Sequence, residues 1–488
     1  MRDRAVRTLA VSPAVAAAAL AAPAAVLAHG LVPQYQSPLP LAVYLTGAAI
    51  TVGLSFLFVL LRDVRALPVA EGGLVQVPAW LRLGLRGLGL LALLWIFVQG
   101  VLGGSSDAQV ADLFVWVYGW VGVAAVSALV APIWEWLDPW ATLYDLAAAV
   151  LRRLGVRGWA PAGIPRWLRG WPAVVGLAMA VWLELVEGGG PQTLFVVLAG
   201  YTAFTLAMMA QFGRDEWRAH GETFTVWFRL LNRLAPFGIV QAAATDHAAD
   251  PADPDDDDAP GPDAIDDRVL RRRPFASGLL EARWTTADVA LVAIGTASIL
   301  YDGLSQTVPW ASLFGAPQIG PETVLLLAFV GVIIGAALVV ARLVSVNAIG
   351  AGLLPIAVGY LVAHYLTYLL VDGQRIVVAL SDPLQQGADL FGTAFHEPNG
   401  DFLPPGLLWT VQLAAVVGGH MLGAWAGHVA AARDAAVTSD DRQPHATDPR
   451  LREVPLALVM VGLTTLTLWS LGQAIVITEE AARRLLPA

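Results

Sequence analysis

The stretch GAGLLPIAVGYLVAHYLTYLLV, residues 350–371, contains no aspartate, glutamate, lysine or arginine and is long enough to cross a lipid bilayer as one helix. A histidine, His364, lies inside it, about one helical turn from Tyr360 on one side and Tyr368 on the other. A titratable ring at this depth is costly in lipid, so such a residue usually faces the protein interior or a polar pocket. The stretch therefore predicts a membrane helix with a candidate functional position at His364.

The composition extends this prediction to the whole chain. The 488 residues are 57% hydrophobic, with a mean hydropathy of +0.63, which excludes an ordinary soluble domain. Cysteine is absent, so disulfides and thiolate metal sites are excluded. All 29 cationic residues are arginine, and 39 acidic residues give a net charge of −10. The expected partners are therefore the lipid bilayer and a small-molecule substrate, and not nucleic acid.

Hydropathy predicts an all-α, polytopic transmembrane helix bundle with ten spans after an N-terminal signal peptide. Residues 1–28 combine early arginines, an alanine-rich apolar stretch and small side chains at Val26 and Ala28. This pattern favours a cleaved secretory signal, with an uncleaved first helix as the alternative. The ten spans are expected near 40–61, 82–103, 110–132, 171–187, 192–212, 286–303, 322–344, 350–371, 405–429 and 453–477.

Arginine-rich loops alternate along the chain with loops that contain little or no arginine, and this alternation predicts which side of the membrane each loop lies on. The stretches GGSSDAQ, EGGGP and 304–321 contain none, whereas the long loop 213–285 and the loop 430–452 are arginine-rich. Cytoplasmic loops collect positive charge. We therefore expect a cell-membrane protein whose mature N-terminus and C-terminus both lie outside the cytoplasm.

The chain divides at an acidic, proline-rich stretch. Residues 244–283 include DHAADPADPDDDDAPGPDAIDD, which cannot bury enough apolar surface to order itself and predicts a disordered cytoplasmic linker. It separates a five-span half, 29–243, from a second five-span half, 284–488. Two cytoplasmic stretches, 138–155 and 221–238, mix Trp, Phe and Leu with Arg and predict amphipathic helices lying in the membrane interface.

Sidedness places several polar side chains near the depth of His364. Glu184, Asp302 and Asp372 are expected near the same outer edge, which makes these four the candidate catalytic residues. Imidazole with carboxylates also suits Zn or Mn, with His364 and Asp302 as ligands, and such a metal can activate water for hydrolysis. Three readings of His364 stay open: a structural hydrogen bond, a catalytic or metal-binding pocket, or an axial ligand of haem.

Other histidines give further candidates. His420 and His428 on the ninth predicted span are the cofactor-binding candidates for haem b, although they project too far apart around the helix to chelate one ion together. Glycines every four residues in this span also predict close helix packing, with His420 bonded across the interface. After signal cleavage His29 is the expected N-terminal residue, and its amine and ring offer a copper site together with His396.

Several stretches, in order along most of the chain, resemble a family of polytopic prokaryotic membrane proteins known as fenitrothion hydrolases. They are AHG before the first span, VSALVAPIWEWLDPWATLYD, VWLELV, GETFTVWFRLLNRLAPF, PIAVGYLVAHYLTYLLVDGQ, LSDP with DLFGTA, and WTVQLAAVVGGHMLGAWAGHVAAARD. The resemblance implies hydrolysis of a P–O aryl ester in an organophosphate triester, and it implies no particular catalytic residues.

Two other function classes remain alternatives to the hydrolase. One is a membrane redox or metal-handling protein that binds haem b or copper through intramembrane histidines. The other is a small-molecule transporter, which the two five-span halves suggest.

Overall fold

The computed structural model describes residues 46–47, 50, 53–54, 72–104, 108–156, 161–188, 190–241, 268–281, 283–315, 318–438 and 454–471. The predicted signal peptide, His29, almost all of the first predicted span and the acidic part of the predicted linker lie outside these residues.

The N-terminal part of the described chain is mostly helical. Its helices are α1 (Ala79–Leu102), α2 (Val110–Leu129), α3 (Trp134–Leu137), α4 (Pro139–Arg153), α5 (Trp171–Trp182), α6 (Pro191–Phe212), α7 (Arg214–His220) and α8 (Thr223–Leu231). Two stretches have the wider π-helical turn, Leu113–Val123 within α2 and Leu183–Glu187 directly after α5.

The C-terminal part continues the helical pattern. Its helices are α9 (Gly278–Glu281), α10 (Thr286–Ser305), α11 (Val308–Phe314), α12 (Ile319–Leu343), α13 (Val346–Val371), α14 (Ile376–Ser381), α15 (Pro405–Thr438) and α16 (Val454–Leu471). A 3-10 turn, Asp372–Arg375, links α13 to α14.

Within the described residues, seven helices are long and apolar enough to cross a membrane, which indicates a multi-pass, all-α bundle. They are α1, α2, α6, α10, α12, α13 with its extension to Ser381, and α15 between Gly406 and Ala436. The predicted spans at 171–187 and 453–477 correspond to α5 with its π turn and to α16, whose apolar part is shorter. The count of ten spans stays a prediction.

A small antiparallel sheet lies beside the helices. Its strands are β1 (Leu74–Val75), β2 (Phe237–Gln241) and β3 (Arg268–Arg272), in the order β1-β3-β2. Since β3 pairs with β2 along its full length, this segment is ordered by backbone hydrogen bonds. The predicted disordered linker is therefore too long at its C-terminal end, where residues 268–281 form β3 and α9.

Helices α10 and α13 form the centre of the bundle. Both are buried over most of their length, whereas only about a quarter of each spanning window is buried in α1, α6, α12 and α15. Each central helix begins at a hydroxyl cap: Thr285 forms a reciprocal capping box with Asp288, and the hydroxyl of Ser345 accepts a hydrogen bond from the backbone N–H of Ala348. These buried helices carry Asp302 and His364, so both candidate residues lie inside the protein.

The prediction that residues 221–238 form an interfacial helix is wrong. Within 221–238, α8 buries seven of its nine residues, including Trp227 and Phe228, and packs against α5, α2 and α7. Its start is fixed by Glu222, whose carboxylate accepts hydrogen bonds from the backbone N–H groups of Phe224 and Thr225. The large aromatic side chains that led to the prediction of an interfacial helix are instead packed in the protein core. In the other stretch, α4 begins buried and exposes apolar residues further on, and its interfacial position stays a prediction.

Candidate functional site

Two central helices bring His364 and Asp302 into direct contact. Nε2 of the imidazole lies 2.8 Å from Oδ2 of Asp302, and the two residues are 62 positions apart in sequence. Only 10% of the His364 side chain and 6% of the Asp302 side chain are exposed. The other carboxylate oxygen of Asp302 accepts a hydrogen bond from Nε2 of Gln306, at 2.6 Å. The contact therefore has a fixed orientation in a largely closed environment.

A tyrosine joins this pair to a second carboxylate. The hydroxyl of Tyr365 lies 3.3 Å from Oδ2 of Asp302 and 3.4 Å from Oε1 of Glu184. Glu184 belongs to the π turn after α5, a type of turn that is frequent at functional sites, and it is buried. We call His364, Asp302, Tyr365 and Glu184 the His364 cluster. Three of its four members were predicted from their depth, and Tyr365 was missed.

Only one of the two ring nitrogens of His364 makes a hydrogen bond within the described chain. Its ring packs edge-on against Tyr360 and Tyr365, at centroid distances of 5.9 and 4.7 Å. The contact with Asp302 is the one hydrogen bond that His364 makes within the described chain, so Nδ1 has no hydrogen-bonding partner there. With Nε2–H donating to the carboxylate, Nδ1 carries the lone pair and can accept a proton.

Asp372 begins the 3-10 turn that follows α13 and is not part of the His364 cluster. It is eight residues beyond His364, about 12 Å along a helix, and its Oδ1 accepts a hydrogen bond from Nε of Arg375, at 3.1 Å. Asp372, Glu184 and Asp112 all lie near enough to Tyr368 to act on its phenol electrostatically. The predicted fourth catalytic residue therefore lies outside the cluster, although its charge and that of Glu184 both act on Tyr368.

The other predicted histidines are separate from the His364 cluster. His396 is exposed in the loop after α14, and its backbone N–H donates to the carbonyl of Thr393. His420 is 1% exposed, and Nδ1 lies 2.8 Å from the carbonyl of Val416 in its own helix, so the predicted hydrogen bond across the interface is wrong. His428 lies two turns further along α15.

The ligand geometry does not assemble a metal site. Within the described residues, no three side chains of His, Asp or Glu converge closely enough to hold a metal ion. His364 and Asp302 supply two potential ligands, whereas protein metal sites of this type normally use three or more. The candidate copper site at His29 lies outside the described residues.

A second polar cluster lies just beyond the C-terminal end of α2. The sequence analysis did not predict it. Glu135 receives hydrogen bonds from Arg218, Arg229 and Arg268, and Arg218 also binds Asp138 at 2.8 Å. We call these five residues the Glu135 network. Both carboxylates follow a span within the apolar stretch WEWLDPW, which is the signal that could have revealed them.

Electrostatics in the Glu135 network favour the charged forms. Burial alone would raise the pKa of Glu135, but Arg229, Arg218 and Arg268 together hold it well below its usual range. Burial likewise opposes the charge on Arg218, yet Glu135 and Asp138 raise the pKa of the guanidinium above its ordinary value. The network is therefore ionised, with both carboxylates neutralised by arginines, which suits a structural role at the junction of α3, α7, α8 and β3.

No protein-family model, curated protein or solved structure matches this chain.

Proposed function

We propose that the chain is a membrane-embedded hydrolase in which His364, oriented by Asp302, acts as general base on a water molecule. The observation that carries the proposal is the 2.8 Å contact between Nε2 and Oδ2, with Nδ1 left without a hydrogen-bonding partner in the described chain. A buried carboxylate that fixes the tautomer of an imidazole is the arrangement that catalytic triads use. The substrate class, neutral organophosphate triesters, rests on the sequence resemblance alone.

The reaction follows from this geometry. Nδ1 of His364 takes a proton from a water as its oxygen attacks the phosphorus atom, and the P–O bond to the aryl group breaks. Asp302 stabilises the imidazolium that forms, and the imidazolium then gives its proton to the departing phenolate, so that the products are a phosphate diester and a phenol. No step requires a metal ion.

Tyr365 and Glu184 have a supporting role in this scheme. The Tyr365 hydroxyl can donate to either carboxylate, so it can position Asp302 against His364.

The experiment is an assay of nitrophenol release from fenitrothion by membranes that contain the protein. Because positioned general bases contribute roughly 10²–10⁴-fold, we expect His364→Gln to lower kcat/KM by at least about 100-fold. His428→Gln is the matched control and should leave the rate unchanged, since His428 lies outside the cluster. Equal rates in membranes with and without the protein, or full activity of a folded His364→Gln variant, would contradict the proposal.

Proton-coupled transport is the second candidate. The observation that favours it is the tyrosine hydroxyl between two carboxylates on buried helices, an arrangement that also suits the binding and release of protons. Reconstituted vesicles distinguish the two functions, because a transporter moves protons together with a solute without cleaving it.

Haem ligation by His420 is not favoured by the packing. The side chain is 1% exposed, so even a water-sized space is lacking beside its ring. The neighbouring Gly419 lies so close to α13 that an added Cβ would be 2.5 Å from the carbonyl oxygen of Pro355. A macrocycle at His420 therefore requires α13 and α15 to separate.

A further inference from the structure

The loop between α14 and α15, residues 382–404, begins beside the membrane-spanning part of α1. The backbone carbonyl of Pro383 accepts hydrogen bonds from the side chains of Trp95 and Gln99, at 2.8 and 3.3 Å. Trp95 lies seven residues before the last residue of α1, which is about 10 Å along a helix. Because α1 is long and apolar enough to span a membrane, the loop starts at a level within the bilayer.

Further hydrogen bonds hold the loop against the C-terminal end of α1. The backbone N–H of Gly104 donates to the carbonyl of Leu384 at 3.0 Å, and Nε2 of Gln386 donates to the carbonyl of Leu102 at 3.1 Å. At this end of α1, Val101 and Leu102 are 68% and 59% exposed, as expected for side chains that face lipid. The loop is therefore attached directly beside a lipid-facing surface.

The middle of the loop is apolar and exposed. Residues 390–395, LFGTAF, contain no charged side chain. Leu390, Phe391 and Phe395 are 64%, 70% and 92% exposed, and we call these three residues the apolar tip. Grouped exposed apolar side chains mark interaction surfaces, and Phe and Leu are typical of segments that lie in the membrane interface.

Several backbone donors of the tip are satisfied within the loop. The hydroxyl of Ser381 accepts hydrogen bonds from the backbone N–H groups of Phe391 and Thr393, at 3.1 and 3.4 Å. The carboxylate of Asp389 accepts one from the backbone N–H of Ala394, at 3.0 Å. Backbone polar groups that enter lipid must find partners inside the protein. These donors therefore do not oppose the entry of the tip into an apolar environment.

From these observations we propose that the loop folds back onto the lipid bilayer and inserts the apolar tip between the headgroups and the acyl chains, in the leaflet on the side of the His364 cluster. The apolar area removed from water drives the insertion. Asp389 and Glu397, which flank the tip, stay at the level of the headgroups and water and limit its depth. Lipid is the occupant because the loop is attached at the level of the span, where lipid surrounds the bundle. This contact is independent of the proposed hydrolase activity.

The test measures the environment of single nitroxide labels on the full chain in lipid nanodiscs, with one chain per disc. Labels at Phe391→Cys and Phe395→Cys replace exposed side chains, and the chain has no other cysteine. Power-saturation EPR compares relaxation by oxygen, which partitions into lipid, with relaxation by nickel-EDDA, which stays in water. We expect oxygen to relax both labels more strongly than nickel-EDDA does. Glu397→Cys is the matched control on the same loop and should show the reverse order.

The other outcomes overturn the proposal. Stronger relaxation by nickel-EDDA at either tip position places the tip in water. Weak relaxation by both reagents means that protein covers the tip. Nickel-EDDA preference in the discs, together with a dipolar interaction between labels on separate chains in liposomes, identifies a second copy of this chain as the occupant. Oxygen preference at Glu397 as well as at the tip contradicts the shallow insertion.

Discussion

At the scale of single residues, the two buried polar clusters differ in how charge is balanced. The His364 cluster sets an imidazole against two carboxylates, and one ring nitrogen remains unused within the described chain. The Glu135 network matches Glu135 and Asp138 with Arg218, Arg229 and Arg268 and satisfies most of their polar atoms. The first arrangement can exchange a proton, and the second holds the protein together.

The depressed pKa of Glu135 gives a pH-dependent stability. Its ionised form contributes stability that is complete above about pH 4.5 and is lost progressively as the pH falls below that value, because the folded-state pKa lies below the unfolded one. Replacing Glu135 by Gln leaves the three arginines without their common partner, and we expect a loss of roughly 3 kcal/mol at pH 7.

Thermal or denaturant unfolding in detergent measures this effect. The difference between wild type and Glu135→Gln should be largest near neutral pH and should shrink as the pH is lowered below about 4.5. Glu216→Gln is the control, since its partially exposed pair with Arg169 is worth less than about 1 kcal/mol. A Glu135→Gln variant that matches wild type at every pH would show that the network does not stabilise the fold.

At the scale of elements, α13 and α15 are the most closely packed pair of helices. Gly359 touches the backbone of α15 at the carbonyl of Ala415, and Gly423 touches α13 at the carbonyl of Gly352. Helices in lipid associate through such close backbone approach, since lipid offers no hydrophobic driving force between them. The packing fixes α13, and therefore His364, against its neighbours.

A single methyl group tests this packing. A Cβ at Gly359 would overlap the carbonyl oxygen of Ala415, so we expect Gly359→Ala to destabilise the protein by roughly 1–3 kcal/mol. Gly418→Ala is the matched control on α15, because an added Cβ there meets nothing within 4 Å. Unfolding in detergent should separate the two variants, and equal stability would mean that α13 and α15 are not packed as described.

Sequence reasoning predicted these elements unevenly. Apolar length predicted most of the helices, and the glycine spacing predicted close packing of α15 but not that α13 is its partner. The expected depth of each side chain below the end of its span correctly grouped His364, Asp302 and Glu184. The sequence analysis missed Tyr365, because the sequence does not show which face of the helix points towards Asp302 and Glu184. It also missed the Glu135 network, whose members are up to 133 positions apart and pair only when the fold is complete.

At the scale of the whole molecule, the two clusters lie at opposite ends of the bundle. Asp112, near the start of α2, is close to Tyr368, whereas Glu135 follows the other end of α2. A helix of this length spans about 30 Å, roughly the thickness of a bilayer core. With arginine concentrated at the Glu135 end, the positive-inside rule predicts that the His364 end faces away from the cytoplasm.

The natural absence of cysteine makes this orientation directly measurable. Single cysteines at two exposed positions, Glu397→Cys after α14 and Arg152→Cys in α4, should react differently with a membrane-impermeant maleimide. We expect labelling of Glu397→Cys in intact cells and of Arg152→Cys only after permeabilisation. The reverse pattern would invert the proposed topology and place the His364 cluster towards the cytoplasm.

The most direct test of the central claim is a double-mutant cycle on nitrophenol release from fenitrothion, with His364→Gln, Asp302→Asn and the combined variant. If Asp302 acts by orienting His364, each single variant should lose about 100-fold or more in kcat/KM, and the combined variant should lose no more than His364→Gln alone. Losses that multiply in the combined variant, or wild-type rates in a folded His364→Gln variant, would contradict a catalytic His364–Asp302 pair.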